Sequence, residues 1–326
     1  MAKSMSKFVF MGDILILVKY EDRFRNLCWL GVICCIVMIS SPIITLAFYA
    51  AAEEVTSANL ETSEDVTNKF PAETIPEKPL PVCYLDDIEA NIPIGNKPVY
   101  DKLLVTERKA QGLSTVLPAV EPYYGEKVVY LTFDDGPDPV NTPQVLEILH
   151  DQGIKGTFFI VGSQMEKNPE LIQRIYDEGH ALGNHTYNHV YRELYKTPAT
   201  YLRQLQHNDA LFQKYLGVRP LISRAPGGTA GSLTKNFWEK LRNEGYIDIG
   251  WNVSSGDASR ATARDILANI TEQINSKKYL WSHVILLMHD GCGHSETVKA
   301  LPEIISFFKV NGFEFRVINL ETPQAW

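Results

Sequence analysis

Two adjacent aspartates and a pair of histidines are the residues of this sequence whose types and spacing best suit chemistry. Asp134 and Asp135 lie in the segment TFDDGP, and His185 and His189 lie four residues apart in HTYNH. That spacing puts both imidazoles on one helix face or in one tight loop, as a shared metal ion requires. Two neutral imidazoles and one carboxylate leave coordination positions open for water and substrate. We therefore predict that His185, His189 and one of the two aspartates bind a divalent metal ion.

Three further polar residues could complete a hydrolytic site. Arg224 lies in RAPGG, Asp257 in SSGDA and His289 in LLMHD. The aspartate that does not bind the metal could act as a base toward water, and Arg224 could keep that base charged and oriented. His289 could act as a general acid toward a departing amine, provided that Asp257 keeps it protonated. With a metal ion to activate water and polarise a carbonyl, this set predicts amide hydrolysis.

Each motif alone has an ordinary explanation, since DDGP is a turn sequence and paired histidines are usually surface or capping groups. What they share is their position at or after the end of an apolar run. We predict strands over residues 128–133, 157–161, 180–184, 220–225, 246–251, 284–289 and 313–320. Because groups at the carboxyl ends of parallel strands converge on one rim, we expect the five motifs to meet there.

The segments between the predicted strands have the pattern of amphipathic helices. We predict helices that begin near Thr142, Pro169, Pro198, Thr234, Ala263 and Glu296. Thr142 and Asn168 suit capping positions. The alternation predicts an α/β domain with a parallel sheet, and both an open doubly wound sheet and a barrel fit it. No Gly-x-Gly-x-x-Gly turn or phosphate loop is present, so we expect no nucleotide cofactor.

Over residues 127–322, the five motifs in their order resemble those of the NodB-type polysaccharide deacetylases of carbohydrate esterase family 4. This resemblance implies a distorted (β/α) barrel of about seven strands. It implies that Asp134 is the catalytic base and that Asp135, His185 and His189 bind the metal. A set of this kind accepts zinc, cobalt, nickel or iron, and we expect zinc, with cobalt or nickel as alternatives.

The resemblance also assigns the remaining site residues. It implies that Arg224 braces the base, that His289 is the catalytic acid and that Asp257 tunes His289. The backbone N–H of Gly227 would stabilise the oxyanion, and Leu287 would line the pocket for the acetyl methyl group.

This sequence departs from the family pattern in two motifs. Ser254 and Ala258 replace the Asp and Trp that are frequent in the fourth motif, so part of the wall beside the acid is missing or supplied elsewhere. Gly227 occupies a position where an aromatic residue is common, and we expect this to open the cleft. The other histidine and the cysteine of the final motif, His294 and Cys292, are expected to be ordinary loop residues.

The motifs and their resemblance predict removal of N-acetyl groups from an extracellular polysaccharide, with N-acetylglucosamine of peptidoglycan as the first choice and acetate as the product. Poly-N-acetylglucosamine, chitin-like oligomers and xylan are alternative polymers. A non-catalytic sugar-binding protein of the cell envelope and an amidase for a small amide are the rivals from other classes. The formal net charge of −8 argues against a nucleic-acid binder, which would normally present a basic surface.

The amino-terminal part of the chain predicts a membrane anchor. Residues 27–52 carry no charge and exceed the roughly 20 residues that span a bilayer, although a cleaved signal peptide is the alternative. Basic residues precede this stretch and acidic residues follow it, so we expect residues 1–26 in the cytoplasm and the rest outside. The run from Phe8 to Val18 is too short to span and carries Asp13, so we expect it to be irregular or to reflect an uncertain start site.

We divide the remainder into a linker and lead-in region at 53–125 and a catalytic domain at 126–326. Residues 53–82 have the composition of an extended tether. Whether residues 83–125 pack against the catalytic domain is left open. Cys83 and Cys292 are the two cysteines beyond the apolar stretch, and we expect them to be unbridged.

Overall fold

The computed structural model describes residues 82–229 and 233–325, and of the preceding residues it describes the backbone of β1 (Met5–Met11) and β2 (Ile14–Tyr20). These two strands pair in antiparallel fashion, with Met11 opposite Ile14. The expectation that the run from Phe8 to Val18 is irregular is therefore wrong. Apolar residues flank the sequence Gly12-Asp13, which is typical of two-residue hairpins.

Two compact units make up the chain, Met1–Pro76 and Glu77–Trp326. In the part that the structure describes, no helix combines the length and the hydropathy needed to cross a membrane. The span predicted at residues 27–52 lies outside the described residues, so it stays a prediction.

The second unit contains eleven described strands and ten described α-helices. The strands are β3 (Cys83–Tyr84), β4 (Val99–Asp101), β5 (Val128–Asp134), β6 (Thr157–Ile160), β7 (Ala181–Asn184), β8 (Arg219–Pro220), β9 (Ile222–Ser223), β10 (Ile247–Asp248), β11 (Val253–Ser254), β12 (Val284–His289) and β13 (Glu314–Phe315). The helices are α1 (Leu85–Glu89), α2 (Val105–Ala110), α3 (Asn141–Asp151), α4 (Gly162–Met165), α5 (Pro169–Asp177), α6 (Tyr191–Leu194), α7 (Pro198–Leu216), α8 (Lys235–Leu241), α9 (Ala263–Ser276) and α10 (Ser295–Val310).

Seven parallel strands form the main sheet in the order β10-β9-β7-β6-β5-β12-β11, and β13 lies parallel beside the start of β5. This arrangement is the distorted (β/α) barrel that the resemblance implied. Its central strand, β5, is buried along its whole length, as expected for a sheet covered on both faces. Val129, Leu131 and Phe133 pack in one core cluster, whereas Val128 and Tyr130 pack in another. Successive side chains of a strand point to opposite faces, so Thr132 and Asp134 share the face of Tyr130.

All six predicted helix starts are confirmed to within one residue, and each predicted strand range contains strand residues, although the strands within 220–225, 246–251 and 313–320 are only two residues long; one cap is wrong. Thr142 is not an N-cap, because α3 begins one residue earlier, at Asn141. Its hydroxyl accepts a hydrogen bond from the backbone N–H of Asp138 and donates one to Asp290. Asn168 does occupy the N-cap of α5, although its side chain donates to the carbonyl of Pro137 instead of accepting from the helix.

The lead-in residues fold as part of the second unit, which settles the question that the sequence left open. Strand β4 pairs with β8 in antiparallel fashion, and β3 pairs with β4. At this junction Asp101 accepts from Nη2 of Arg219 at 3.0 Å, and Nη1 of Arg108 lies 3.4 Å from the same carboxylate. All three side chains are buried. Cys83 and Cys292 are both free, as expected.

Candidate active site

Asp134 is held by a buried arginine at the carboxyl end of β5. Nη1 of Arg224 donates to Oδ1 of Asp134 at 2.9 Å and to the hydroxyl of Thr132 at 2.6 Å. Nε and Nη2 of the same guanidinium donate to the backbone carbonyls of Ile249 and Gly250. Because three of its nitrogens are bonded within the fold, Arg224 cannot turn away, and it fixes one oxygen of the Asp134 carboxylate.

Asp135 leaves the line of the strand, because its backbone has a positive φ of 74°. Its Oδ1 lies 3.4 Å from Nε2 of His185 and 3.3 Å from Nε2 of His189. That oxygen is buried and accepts no hydrogen bond. A buried carboxylate oxygen that faces two imidazole nitrogens and accepts no hydrogen bond fits the donor set of a divalent metal ion.

The orientation of His185 favours its use as a metal ligand. Its Nδ1 lies 2.8 Å from the carbonyl oxygen of Arg224, which can only accept, so Nδ1 carries the hydrogen. The lone pair of Nε2 then faces Asp135. Burial disfavours charge on His185, but the negative charges of Asp134 and Asp135 prevail and raise its pKa. These carboxylates therefore favour a positive charge here, which a divalent cation would supply.

His189 follows β7 at the end of a short loop and has a positive φ of 55°. Burial lowers its pKa, and the nearby charge of His185 lowers it further, so the neutral ligand form is favoured. For Asp135, burial opposes ionisation, but the nearby charges of His185 and His189 hold the pKa well below its usual range. The ligand atoms of Asp135, His185 and His189 all lie within 4.8 Å of one another.

A second cluster is centred on His289, the last residue of β12. Its Nδ1 lies 2.8 Å from Oδ1 of Asp257, while its backbone N–H donates to Oδ2 of the same carboxylate at 2.8 Å. The hydroxyl of Thr297 also donates to Oδ2, at 2.8 Å. Burial alone would lower the pKa of His289, but the hydrogen bond and the charge of Asp257 raise it to about 9. His289 is therefore protonated at neutral pH and can donate a proton from Nε2.

His294, which we expected to be an ordinary loop residue, lies in contact with this cluster. Its ring stacks on that of His289, with centroids 4.8 Å apart and an interplanar angle of 23°. Burial and the positive charge of His289 lower the pKa of His294, which keeps it neutral. Asp257, His289 and His294 also have ligand-type atoms within 4.8 Å of one another. Both Asp257 oxygens and Nδ1 of His289 are already hydrogen-bonded, however, so the Asp135 cluster fits a metal ion better.

The turn that carries both aspartates is supported by a third, Asp290. This carboxylate is buried and accepts from the hydroxyl of Thr142. Burial raises its pKa to about 7. A side chain at Gly136 would place its Cβ 2.5 Å from Oδ2 of Asp290, so the turn accepts only glycine at that position. The peptide bond between Gly136 and Pro137 is cis.

The two residues predicted to contact substrate have different surroundings. Leu287 is buried on β12, where its Cα is paired with Ser254 of β11 and Thr132 of β5. Gly227 has a positive φ of 70°, and the ring of Tyr191 lies against it. Tyr191, a residue distant in sequence, lies beside this glycine, which is itself exposed, so the expectation that glycine opens the cleft here stays a prediction.

Three residues at the site were missed by the sequence analysis: Thr132, Tyr191 and Thr297. Thr132 was included in a predicted strand, and its position two residues before Asp134 would have placed both on one face. Tyr191 and Thr297 follow His189 and His294 by only two and three residues. Nothing in their own types distinguishes them from surface residues.

The strand register brings the two clusters to the same rim. His289 and Asp134 are Cα partners at the ends of β12 and β5. A braced carboxylate, a metal-type ligand set and a protonated imidazole thus lie at neighbouring strand ends. This combination could abstract a proton from water, polarise a carbonyl and protonate a leaving group.

Comparisons with known proteins place this arrangement among enzymes. The family model described as polysaccharide deacetylase matches residues 122–247. A peptidoglycan-N-acetylglucosamine deacetylase of Bacillus cereus is 31% identical over 197 residues, covering 60% of this chain and 87% of the relative. A chitooligosaccharide deacetylase of Bradyrhizobium is 30% identical over 202 residues, covering 58% of this chain and 88% of the relative. A solved CE4 esterase of Streptococcus mutans aligns with a TM-score of 0.56 at 31% identity, covering 60% of this chain and 87% of that one.

Proposed function

The chain belongs to the polysaccharide deacetylase family, and on that premise we propose that it removes N-acetyl groups from N-acetylglucosamine in peptidoglycan with one divalent metal ion. As a member of this family it is a hydrolase that acts on carbon–nitrogen bonds. The observation that carries the proposal is the pairing at one rim of the Arg224-braced Asp134 with the Asp135, His185 and His189 cluster.

The donor set fits the proposed metal. Asp135, His185 and His189 would hold the ion, because the buried Oδ1 of Asp135 has no hydrogen-bond donor and Nδ1 of His185 is already bonded. When bound, the ion supplies Lewis-acid polarisation of the acetyl carbonyl. We propose zinc, with cobalt or nickel as alternatives, since nitrogen and carboxylate ligands accept all three.

The chain's own residues carry the proton transfers. Asp134 accepts a proton from the water whose oxygen attacks the acetyl carbon, and Arg224 keeps the carboxylate oriented for that transfer. His289 then gives its Nε2 proton to the nitrogen as the carbon–nitrogen bond breaks. Acetate and a free amine are the products. Asp257 keeps His289 charged until that step, since it raises the pKa of His289 to about 9.

Gly227 and Leu287 complete the proposed site. The backbone N–H of Gly227 would donate to the developing oxyanion, and Leu287 would contact the acetyl methyl group. A non-catalytic sugar-binding role is disfavoured, since the base, the acid and the ligand set are all present. A small-amide substrate is disfavoured because the relatives at about 30% identity are named for polysaccharide and oligosaccharide substrates.

Acetate release from a panel of purified glycans tests the substrate. We expect peptidoglycan and its glycan strands to be deacetylated faster than chitin oligomers or acetylated xylan. A preference for chitin oligomers would instead favour chitooligosaccharides as the substrate, the activity for which the Bradyrhizobium relative is named. If no glycan released acetate in the presence of zinc, the proposal that this protein deacetylates polysaccharides would be refuted.

We further propose that the catalytic domain lies outside the cytoplasm, held at the membrane by residues 27–52. The support is the uncharged stretch with basic residues before it and acidic residues after it. Protease added to intact cells or spheroplasts should then digest the catalytic domain while a cytoplasmic marker survives. Equal protection of the domain and the marker would contradict the proposal.

A further inference from the structure

An aromatic ring lies beside Gly227, the first of the two glycines of the third motif. Gly227 has no Cβ, and a Cβ built there would lie 2.7 Å from both Cε1 and the hydroxyl oxygen of Tyr191. The ring therefore occupies the volume that a side chain at residue 227 would need. A larger residue at 227 and the present position of Tyr191 exclude each other.

Tyr191 is placed by contacts on two other sides. Its ring meets that of His189 edge-on, with centroids 5.3 Å apart and an interplanar angle of 85°. It also lies 6.1 Å from the ring of Tyr195, whose hydroxyl donates to the carbonyl of Pro226 at 2.6 Å. Tyr191 and Tyr195 thus tie the short helix α6 to the loop at residues 226 and 227.

Despite these contacts, Tyr191 is 51% exposed. An aromatic residue that packs on a metal-ligand histidine and on the oxyanion loop, yet leaves half of its surface open, has room for a ligand. The ligand of this site is a sugar under the proposed function. Pyranose rings present an apolar face of C–H groups, and aromatic rings bind such faces by dispersion and burial.

We propose that Tyr191 is a substrate-binding residue that stacks on the sugar whose acetyl group is removed. It supplies from α6 the aromatic wall that residue 227 cannot supply. The inference rests on the proposed function, because it requires a glycan at this rim. It adds a residue that neither the motifs nor the ligand set includes.

Tyr191→Ala and Tyr191→Phe separate the role of the ring from that of the hydroxyl. We expect Tyr191→Ala to raise KM for an N-acetylglucosamine tetramer about tenfold, as expected for loss of one aromatic contact, with kcat and metal content little changed. Tyr191→Phe should stay close to the original protein. Tyr279→Ala is the matched control, since Tyr279 is 74% exposed and belongs to another part of the chain.

A second pair of variants tests whether an aromatic residue at position 227 can replace the ring of Tyr191. Gly227→Phe alone should weaken activity, because the new ring collides with Tyr191 and the positive φ disfavours a side chain. In the Tyr191→Ala background the space is free, so adding Gly227→Phe should recover part of the lost affinity. Kd for the tetramer is the quantity compared, because the positive φ and the backbone N–H of Gly227 affect turnover separately; a Kd for the double variant no lower than that of Tyr191→Ala would overturn the idea that the two positions line one wall.

Two results would overturn the inference. An unchanged KM in Tyr191→Ala would show that Tyr191 does not contact the sugar. Loss of metal in that variant would show that the ring only supports His189. Calorimetric titration of the tetramer gives Kd without turnover. If no glycan is hydrolysed, the proposed function fails, and the binding measurement then tests the Tyr191 contact by itself. Weaker binding of the tetramer by Tyr191→Ala than by Tyr279→Ala would support the contact. Equal binding by the two variants would refute the contact.

Discussion

Asp134 and Asp135 are adjacent in sequence, yet their carboxylates have different neighbours. Oδ1 of Asp134 is bound by Arg224, whereas Oδ1 of Asp135 faces two imidazoles. We predict that Asp134→Asn keeps its metal but loses about 10²–10⁴-fold in kcat, as removal of a positioned base does. Asp135→Asn should instead lose metal affinity and recover part of its activity in excess metal. Metal content and acetate release measured side by side check this.

The opposite pattern would exchange the two roles. If Asp134→Asn loses the metal and Asp135→Asn retains it, the assignment of base and ligand must be reversed. Full activity in both variants would leave this strand end as a turn without a catalytic role.

His289 carries the second prediction at the scale of single residues. Burial lowers its pKa, and the hydrogen bond and charge of Asp257 outweigh burial and raise it to about 9. The acid is active when protonated, so kcat/KM should hold through neutral pH and fall as pH rises past about 9. In Asp257→Asn only burial and weaker charges remain, so the falling limb should move to lower pH by two or more units, on the order of the shift removed.

The pH profile of kcat/KM distinguishes this from general damage. Asp177→Asn is a suitable control, because Asp177 is exposed on α5 and bonds only to the side chain of Gln173 among its described partners. A uniform loss at all pH values in Asp257→Asn, with no movement of the alkaline limb, would contradict the proposed tuning of the acid.

At the scale of elements, the contact between β4 and β8 joins the lead-in residues to the barrel. Asp101 there neutralises two buried guanidinium groups, those of Arg219 and Arg108. Asp101→Ala should lower the free energy of unfolding by about 3 kcal/mol, because it leaves the buried guanidinium of Arg219 with Asp209 at 3.9 Å as its nearest remaining carboxylate, while Arg108 keeps Glu89 at 2.7 Å. Urea denaturation followed by circular dichroism measures the change.

The neighbouring pair of Lys109 and Glu244 serves as the control for that measurement. These side chains are 51% and 38% exposed, so Glu244→Ala should cost only about 0–1 kcal/mol. Similar losses in the two variants would mean that the lead-in residues contribute no more than a surface contact does.

The elements that could be predicted from the sequence are those with long, regular patterns. The strand at residues 284–289 and the start of a helix near Ala263 were predicted because the apolar pattern is regular over many residues. Strand β11 has only two residues and gives no periodic signal. Thr142 was predicted as a cap on its residue type, but a buried carboxylate from β12 engages its hydroxyl, a tertiary contact that local sequence does not encode.

Within the site, too, residues that belong to a sequence motif were predicted, whereas residues placed by tertiary packing were not. Motif residues such as Asp135 and Arg224 were predicted because their chemistry recurs at strand ends in order. The position of Tyr191 over Gly227 was missed, since it depends on how α6 packs on a loop more than 30 residues later in the chain. Absence of a side chain in a motif is visible in the sequence, whereas the residue that fills the space is visible only in three dimensions.

For the molecule as a whole, the proposed metal would join two segments that β6 separates. Asp135 follows β5, His185 and His189 follow β7, and β6 lies between these strands in the sheet. An ion that binds the folded state alone stabilises it by about 2.7 kcal/mol at a hundredfold excess over Kd. A domain of this size should then gain roughly 5–10 °C in Tm on addition of zinc, and a chelator should reverse the gain.

His185→Ala should lose this gain in Tm, whereas His150→Ala should keep it, because His150 is 74% exposed and paired only with Asp151 among the described ion pairs. Differential scanning calorimetry with and without zinc measures both variants without recourse to substrate. If His185→Ala were stabilised by zinc as much as the unmodified protein, the ion would bind elsewhere and the ligand assignment would fail even if deacetylation were observed.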